Sequence, residues 1–473
     1  MSKCCSLPTD LFVGGSLSSL ILATHHKITN PENEVIIIEG GSRVGGDNGS
    51  YLAKNGEFFD YGMRVYYECN IKELDDIVVR SLPAKDIIFL KDNKKDPAAC
   101  YFKGNLQSNS PCLDLRALSC NEKNLIMGQI NNSRKNITKS DYKNCAEYLI
   151  DKLGKIISEK YLFPILENFY DRKAEELTVD ATTAHFGLNE RVILFEENKT
   201  LQLMQDEHLR MRLAFPNQEN LPHPYSQRSA RGIYPTRLGM QHIIDGLKEN
   251  FLALGGKIIF NANIQSVHHN NGSISMLNYI DKNSGNIHSI KLQALFWGAP
   301  LQLLAKFLGY TSEYELERGK RAHLVHMIVN KKLNLGELYY LFNFDSSYEI
   351  FRVANYSAYC PNSSSDGLYR ATVEYWSNSE SIDIQKVNDE LLRMAIIDEQ
   401  HKIIFQELAA GPAFPLQSVK NEECMDDIRK YVHSLALRNV LAFGQSAKKH
   451  TFYTPDILRA AFEDYDRFRF NLI

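Results

Sequence analysis

The sequence predicts an α/β fold built around a parallel, Rossmann-like sheet, and three observations lead to it. Residues 11–13 form an apolar stretch that breaks at Gly14, and a helical stretch follows from about residue 17. Residues 35–38 form a second apolar stretch, which ends in Glu39. A strand that turns into a helix through small residues, followed by a strand that ends in an acid, is the layout of a dinucleotide-binding βαβ unit.

The turn between the first strand and its helix is small enough for an anion to approach. Gly14, Ser16 and Ser19 occupy the three positions at which the dinucleotide-binding pattern has glycine, and only the first is glycine. The N–H groups and the dipole of the helix N-terminus would stabilise a pyrophosphate there. Glu39 would accept hydrogen bonds from ribose hydroxyls. The alternatives are a βαβ unit without a ligand and a hydrophobic signal segment.

The segment after Glu39 resembles the flavin-binding start of a known superfamily. Arg43-Val44-Gly45-Gly46, followed by Phe59-Asp60-Tyr61-Gly62, is similar to that part of the amine oxidase and protoporphyrinogen oxidase superfamily, which includes UDP-galactopyranose mutase. Residues 234–240 and 254–264 resemble the segment whose strand passes the adenine, and residues 294–300 resemble the strand that returns to the flavin domain. Residues 439–446, with the helix from about Pro455, resemble the last flavin-contacting segment. Four ordered matches across nearly the whole chain are more specific than any one of them.

The resemblance implies FAD as the cofactor and a glutathione-reductase-type FAD-binding domain that is interleaved with other parts of the chain. The FAD-binding domain would comprise residues 1–80, 230–300 and 425–473. Residues 81–229 would form a helical cap, and residues 301–424 a substrate domain with a mixed β-sheet. The cofactor-binding positions that the resemblance implies are Gly14, Gly15, Ser16, Ser19, Glu39, Arg43, Gly45, Gly46, Ile264, Gly444 and Gln445.

Composition and charge exclude several classes of protein. The formal net charge is −3, and no lysine–arginine block occurs, which argues against a nucleic-acid-binding protein and leaves a small-molecule substrate as the expected partner. No apolar run reaches the roughly 18 residues of a membrane-spanning helix. Pro8 and Asp10 ahead of the first strand argue against a signal peptide. Nine cysteines without a CxxC spacing indicate reduced thiols, as in a cytoplasmic protein.

Three side chains are candidates for catalysis because of the resemblance. It implies that Arg64 and Tyr66 lie close to the flavin and that Arg237 borders a loop near cofactor and substrate. Arg64 falls where UDP-galactopyranose mutases carry a histidine, and a cation there could hold an anionic substrate or stabilise a reduced, anionic flavin. The structural alternatives are an ion pair of Arg64 with Asp60 or Glu68 and a surface position for Arg237.

The histidines do not predict a metal site. His25 and His26 are adjacent in sequence, as are His268 and His269, and neighbouring side chains do not share a face of a strand or helix. No acidic cluster accompanies these pairs or the His323 and His326 pair, so a set of metal ligands is not expected.

Two departures from the superfamily pattern bear on the cofactor. Besides the serines in the first turn, Gln445 follows Gly444 where many relatives have arginine. Loss of that cation would remove a charge-assisted hydrogen bond of about 1.5–3 kcal/mol. The chain is then either a weak flavin binder or a relic that keeps the fold without the cofactor.

Two enzymatic functions and one other function are compatible with the sequence. In the first, FAD accepts a hydride from a small-molecule substrate, and residues 351–355, 374–376 and 413–415 resemble oxidoreductases of this kind. In the second, the flavin stays reduced and the enzyme is a nucleotide-sugar mutase without net redox change, which residues 445–456 resemble. The third is a non-enzymatic binding protein on the same scaffold. The sequence favours the oxidoreductase.

Overall fold

The computed structural model describes residues 9–108, 110–184, 190–217, 220–221, 230–312, 314–412 and 416–472. Cys4, Cys5 and residues 413–415 therefore lie outside the described residues. The chain combines helices with strands, and the first sheet contains a parallel strand–helix–strand unit, so the predicted α/β class is confirmed. Within the described ranges, no helix combines the length and the apolar composition needed to cross a lipid bilayer.

The secondary-structure elements have the following bounds. The strands are β1 (Thr9–Val13), β2 (Glu34–Ile38), β3 (Ser50–Leu52), β4 (Phe58–Asp60), β5 (Tyr66–Tyr67), β6 (Ile87–Leu90), β7 (Ala98–Phe102), β8 (Asn105–Gln107), β9 (Leu113–Asp114), β10 (Val192–Ile193), β11 (Gly232–Pro235), β12 (Lys257–Ile259), β13 (Ala262–Asn270), β14 (Ser273–Asp281), β15 (Ile287–Trp297), β16 (Arg321–Val329), β17 (Tyr340–Asn343), β18 (Ile350–Asn355), β19 (Tyr369–Ser377), β20 (Ile403–Ala410) and β21 (Val440–Ala442). The α-helices are α1 (Leu17–Thr29), α2 (Lys72–Val79), α3 (Cys120–Asn131), α4 (Cys145–Leu153), α5 (Lys155–Ile157), α6 (Phe163–Tyr170), α7 (Ala181–Ala184), α8 (Glu197–Leu203), α9 (Glu207–Arg210), α10 (Gln241–Ala253), α11 (Leu301–Phe307), α12 (Tyr356–Tyr359), α13 (Ile384–Arg393), α14 (Val419–Ser434) and α15 (Thr454–Leu472).

The first sheet contains the predicted βαβ unit. Its parallel strands lie in the order β12, β2, β1, β15, β21, and the long β15 continues beyond them into an antiparallel meander with β14 and β13. The order changes direction at β1, since β2 lies on one side of it and β15 on the other. Ligands of doubly wound sheets bind in the crevice at such a switch point, outside the carboxyl ends of the strands.

The helix α1 is the central element packed on this sheet. It begins after Ser16, whose extended backbone and side-chain oxygen cap the first turn, and most of its residues are buried. It contacts α10, α2 and α15, while α11 and α14 pack with apolar side chains on the opposite face of the sheet. The sheet is therefore covered on both faces, as its apolar strands require.

The second sheet is mostly antiparallel and has the order β20, β16, β19, β18, β17, β7, β8. One face packs against α13 and forms a core of its own, and the other face joins the large core shared with the first sheet and α3 to α6. The stretch 81–229 contributes β7 to this sheet, paired in parallel with β17, before its helices begin. The glutathione-reductase subtype, the helical cap and the domain limits remain predictions.

Candidate active site

Three parallel strands of the first sheet end side by side, and a glycine follows within two residues of each end. The strands β1, β15 and β21 end at Val13, Trp297 and Ala442. Gly14 and Gly298 lie one residue beyond these ends, and Gly444 lies two residues beyond its strand. Gly14 and Gly444 have φ angles of 91° and 103°, which residues with a Cβ rarely adopt. A Cβ built on Gly14 would lie 3.5 Å from the carbonyl carbon of Gly298. The three ends, here called the strand-end edge, therefore leave an open crevice.

The N-terminus of α1 faces this edge with serine where a glycine pattern is usual. The hydroxyl oxygen of Ser16 accepts a hydrogen bond from the Ser19 N–H at 3.2 Å and lies 3.0 Å from the Ser19 hydroxyl. Ser19 is fully buried, and a Cβ built on Gly298 would lie 2.7 Å from its Oγ. In the usual pattern, a third glycine on the helix allows helix and strand to pack closely. Here the helix carries Ser19, and Gly298 on the strand provides the space instead. The sequence analysis missed this exchange because only the pairing of β1 with β15 brings the two residues together.

The Glu39 carboxylate holds the two loops that flank the edge. Its Oε2 accepts from the Gly15 N–H at 2.7 Å, and its Oε1 accepts from the Gly41 N–H at 2.6 Å. Each carboxylate oxygen keeps a further lone pair, so a ribose hydroxyl could still donate to it. Gly15 lies tightly under this carboxylate, because a Cβ there would be 2.8 Å from Val44.

The remaining predicted cofactor positions divide into two groups. Gly45 donates to the Gly15 carbonyl at 2.7 Å, and Gly46 follows it in a left-handed conformation, so this turn lies beside the α1 N-terminus. Ile264 is half-buried on β13, close behind Ala262, whose N–H bonds the Glu39 carbonyl. The second group consists of Arg43 and Gln445, whose side chains are directed away from this turn. Arg43 is exposed on the surface, and the Gln445 side chain donates to the Phe452 carbonyl at 2.7 Å.

Of the three catalytic candidates, Arg64 lies in a recess between the two sheets, together with Arg352 and Glu374. Its Nε donates to the Asp47 carbonyl at 3.0 Å. Burial, and then repulsion from Arg352, lower the pKa of Arg64. The alternative ion pairs are not formed, because Glu68 binds Arg231, and Asp60 accepts from other groups.

Tyr66 and Arg237 lie in different surroundings. The buried Tyr66 hydroxyl donates to Asp75 at the start of α2 at 2.8 Å, and burial raises the pKa of this tyrosine. Arg237 is exposed, in agreement with the structural alternative for that residue. Neither side chain therefore shares a hydrogen-bond partner with Arg64 among the described residues.

Asp60 anchors the strand that leads into the recess. The fully buried carboxylate accepts hydrogen bonds from the Ser50 hydroxyl at 2.6 Å, the Tyr234 hydroxyl at 2.6 Å and the Met240 N–H at 2.8 Å. Burial raises the pKa of Asp60 to about 6, and the three donors oppose that shift only in part. The Tyr356 hydroxyl lies 3.1 Å from the Asp60 N–H, which joins this strand to the second sheet.

An ion pair between Arg352 and Glu374 forms the floor of the recess, and the sequence analysis did not identify it. The Arg352 Nε donates to the Glu374 carboxylate, which is only 3% exposed. A Cβ built on Gly62 would lie 2.0 Å from Glu374 Oε1, so the Gly62 backbone lies directly on this carboxylate. Burial raises the pKa of Tyr453, which is 54% exposed, and the tyrosine lies close enough to Arg352 for that charge to oppose the rise. Gly62, Arg64, Arg352, Glu374 and Tyr453 define what is called the recess below.

Two cavities found among the described residues include none of the five recess residues in their lining. One, of about 460 Å³, is an open depression between α3 and α4 lined by Gln129, Asn132 and Asp151. The other, of about 30 Å³, lies beside Phe169 and Lys320. We take the recess as the site because one turn joins it to the strand-end edge: Gly45 donates to the Gly15 carbonyl, and Arg64 donates to the Asp47 carbonyl.

Comparisons with known proteins bear on the fold. No protein-family model matches the sequence, and a search of curated proteins finds no match. Among solved structures, a reduced UDP-galactopyranose mutase has a TM-score of 0.71 at 12% identity over 98% of this chain and 94% of its own. A candidate protoporphyrinogen oxidase from Exiguobacterium sp. has a TM-score of 0.68 at 16% identity over 98% and 99%. A redesigned putrescine oxidase has a TM-score of 0.60 at 11% identity over 98% and 99%.

All three neighbours are members of the FAD amine-oxidase-like superfamily, so the resemblance predicted from the sequence is confirmed for the fold. At these identities the likeness concerns the fold alone. The neighbours include oxidases, a mutase and an isomerase, and one fold therefore carries several reactions.

Proposed function

We propose that this chain is an FAD-dependent oxidoreductase that removes a hydride from a small-molecule substrate in the recess. The observation that carries the proposal is the convergence of Gly14, Gly298 and Gly444 beside the α1 N-terminus, next to a recess that contains two arginines. A side-chain-free strand edge suits a dinucleotide, and the adjoining buried charges suit a substrate.

The residues at the edge fit FAD at its dinucleotide end. The α1 N-terminus would hold the pyrophosphate, and Glu39 would hold the adenosine ribose through its unused lone pairs. When bound, FAD supplies a ring that can accept a hydride. The Ser16 side chain and the bonded Gln445 weaken the fit relative to the usual pattern, so we expect an affinity lower than that of a glycine-only turn.

The chain's own residues would bind and orient the substrate. Of the three candidates named from the sequence, the proposal keeps Arg64 as the group that orients a polar or anionic substrate, because its guanidinium lies in the recess. Tyr453 would form one wall. Replacement of Arg64 by alanine should lower turnover and leave flavin content near that of the wild type. Equal turnover in the variant would return Arg64 to a structural role.

A visible absorption spectrum of the purified protein, before and after chemical reduction, tests the cofactor assignment. We expect a flavin spectrum that bleaches on reduction, either as purified or after incubation with FAD. Protein that contains no flavin and takes none up would contradict the proposal and would favour the non-enzymatic binding protein.

A second candidate is the non-redox nucleotide-sugar mutase. It is favoured by the TM-score of 0.71 to the UDP-galactopyranose mutase and by the resemblance of residues 445–456 to that enzyme. The two candidates differ in electron balance. An oxidoreductase consumes substrate and acceptor in proportion, whereas a mutase needs one reduction and then turns over repeatedly. Sustained isomerisation of a nucleotide sugar under anaerobic conditions, by protein reduced once, would replace the oxidoreductase by the mutase.

A further inference from the structure

Arg352 is directed into the recess by an irregularity in its strand. Ile350 on β18 lies opposite Tyr375, and Arg352 lies opposite Glu374, so Phe351 is an extra residue on this strand. Such a bulge interrupts the alternation of faces. Ile350 and Tyr375 belong to the core beneath the sheet, whereas Arg352 and Glu374 face the first sheet beside Gly62. Bulges next to active sites commonly redirect one side chain in this way.

The guanidinium of Arg352 uses few of its hydrogen-bond donors. Among the described residues only Glu374 accepts from it, through Nε, although its side chain is just 15% exposed. The rings of Phe342 and Phe351 lie 5.6 and 6.0 Å from its central carbon and offer no oxygen acceptor. Both terminal nitrogens of Arg352 lack an acceptor among the described residues but are not fully enclosed, so they are accessible to a ligand.

Arg370, on a neighbouring strand of the same sheet, shows what a purely structural arginine looks like. All three of its nitrogens donate to oxygens, which belong to the carboxylates of Glu57 and Asp366 and to the carbonyls of Ser363 and Leu368. Its burial is similar to that of Arg352. The unused donors of Arg352 therefore do not follow from burial in this sheet.

Arg64 presents a second guanidinium to the same space. Its only hydrogen bond among the described residues is the one from Nε to the Asp47 carbonyl, which leaves both terminal nitrogens unused. A Cβ built on Gly62 would lie 3.0 Å from a terminal nitrogen of Arg352, and Arg64 follows Gly62 by two residues, so the two guanidinium groups belong to the same recess. Besides burial, repulsion from the charge of Arg352 accordingly lowers the pKa of Arg64. Glu374, Asp47 and Asp60 oppose that repulsion in part, and Glu374 is already paired with Arg352.

We propose that Arg64 and Arg352 together bind an oxyanion of the substrate, a carboxylate or a phosphate. Glu374 acts as a positioning residue, because it fixes the plane of the Arg352 guanidinium and leaves its two terminal nitrogens free. Planar guanidinium groups match two oxygens of a carboxylate or phosphate, and such charge-assisted bonds are the strong ones. The inference rests on the proposed function in that it assigns a substrate class to the same recess.

Oxyanion binding can be measured before the substrate is known. Inorganic phosphate and benzoate are titrated separately into the purified protein at constant ionic strength, and the melting temperature and the visible spectrum are recorded. We expect saturable stabilisation by one of the two probes, and its identity distinguishes a phosphate-bearing from a carboxylate-bearing substrate. Arg352→Gln should weaken that binding about 10- to 100-fold, the loss of one or more charge-assisted hydrogen bonds.

Two further variants keep the test decisive. Arg352→Gln alone leaves a buried carboxylate unpaired, so the double variant Arg352→Gln with Glu374→Gln removes both charges and should fold while it loses oxyanion binding. Arg370→Lys is the matched control, which should lower the melting temperature but keep the oxyanion affinity of the wild type.

The results separate this inference from the proposed function. Wild-type protein that neither probe stabilises saturably, or a folded double variant that binds the probe as tightly as the wild type, overturns the oxyanion site. Flavin content is read from the same samples. Protein without flavin that still binds the probe through Arg352 contradicts the proposed function alone, whereas flavin-containing protein without probe binding contradicts the oxyanion site alone.

Discussion

The strand-end edge and the recess are the two parts of the proposed site, and they differ in which atoms form them. The edge consists of backbone, since glycines end its strands and the helix N–H groups face the crevice. The recess consists of side chains whose charges are held in place by one another, above all Arg352 and Glu374. At the edge, a larger residue on the helix can be offset by a smaller one on the strand, as Gly298 leaves room for the Ser19 hydroxyl. A site made of paired charges loses its geometry when either partner of a pair is replaced.

The largest effect is expected at Gly62, where the backbone lies directly on the Glu374 carboxylate. Gly62 has a φ of 85°, and a Cβ there would lie 2.0 Å from the Glu374 carboxylate, which cannot move away without leaving Arg352. Gly62→Ala should therefore destabilise the protein by about 3–5 kcal/mol, from overpacking and from the left-handed backbone. Gly56 has a φ of 82° and nothing within 4 Å, so Gly56→Ala should cost only about 1 kcal/mol. Urea unfolding measures both, and equal costs would show that Glu374 is not held.

The next effect is a pH dependence that arises from the buried charges. The pKa of Asp60 is raised to about 6, so between about pH 4 and pH 6 the folded protein retains a proton that the unfolded chain has lost. The contribution of Asp60 to stability should therefore fall as the pH rises through this window, by about 3 kcal/mol in total. In Asp60→Asn this fall should be absent, whatever constant change in stability the substitution brings. Unfolding by urea across the window tests this, with the exposed Asp92→Asn as control. If the unfolding free energy of Asp60→Asn depended on pH as that of the wild type does, the pH dependence would belong to other groups.

At the strand-end edge a smaller effect is expected, and it should be reversible by a second substitution. A Cβ on Gly298 would lie 2.7 Å from Ser19 Oγ and 2.7 Å from Phe443, so Gly298→Ala should cost about 2 kcal/mol. Ser19→Ala removes the hydroxyl, and in the double variant it should restore about 1 kcal/mol. A double-mutant cycle of unfolding free energies measures this coupling. Strict additivity would mean that the strand glycine does not compensate for the helix serine.

The smallest effect concerns one ligand contact at the edge. Glu39→Ala should remove the proposed ribose contact and weaken FAD binding about tenfold, or about 1.4 kcal/mol, because the backbone part of the site remains. Flavin fluorescence during titration measures the affinity. Glu34→Ala, at the other end of the same strand, removes a pair with Lys257 far from the crevice and should leave the affinity unchanged. Equal affinities in wild type and Glu39→Ala would contradict the ribose assignment.

The same division explains what could be predicted from the sequence. The first strand, its turn and Glu39 lie within 31 residues of one another, so a local pattern identifies them. Arg64 was found because it follows a recognisable segment. Arg352 was missed because a bulge at Phe351 sets its direction, and strict alternation would have assigned it to the face of Ile350. The partnership of Ser19 with Gly298 depends on which strands pair, and no local pattern carries that information.

The three walls of the strand-end edge also constrain the order in which the molecule can be completed during synthesis. Gly14 and Gly444 are 430 residues apart in the chain, and Gly298 lies between them. A ribosome-bound chain can form β1, α1 and β2 early, because its contacts are local, but the crevice lacks two walls until β15 and finally β21 join. A cofactor that needs all three walls can be captured only after translation of the last of them. Cofactor loading would then act as a checkpoint on the finished fold rather than as a template for it.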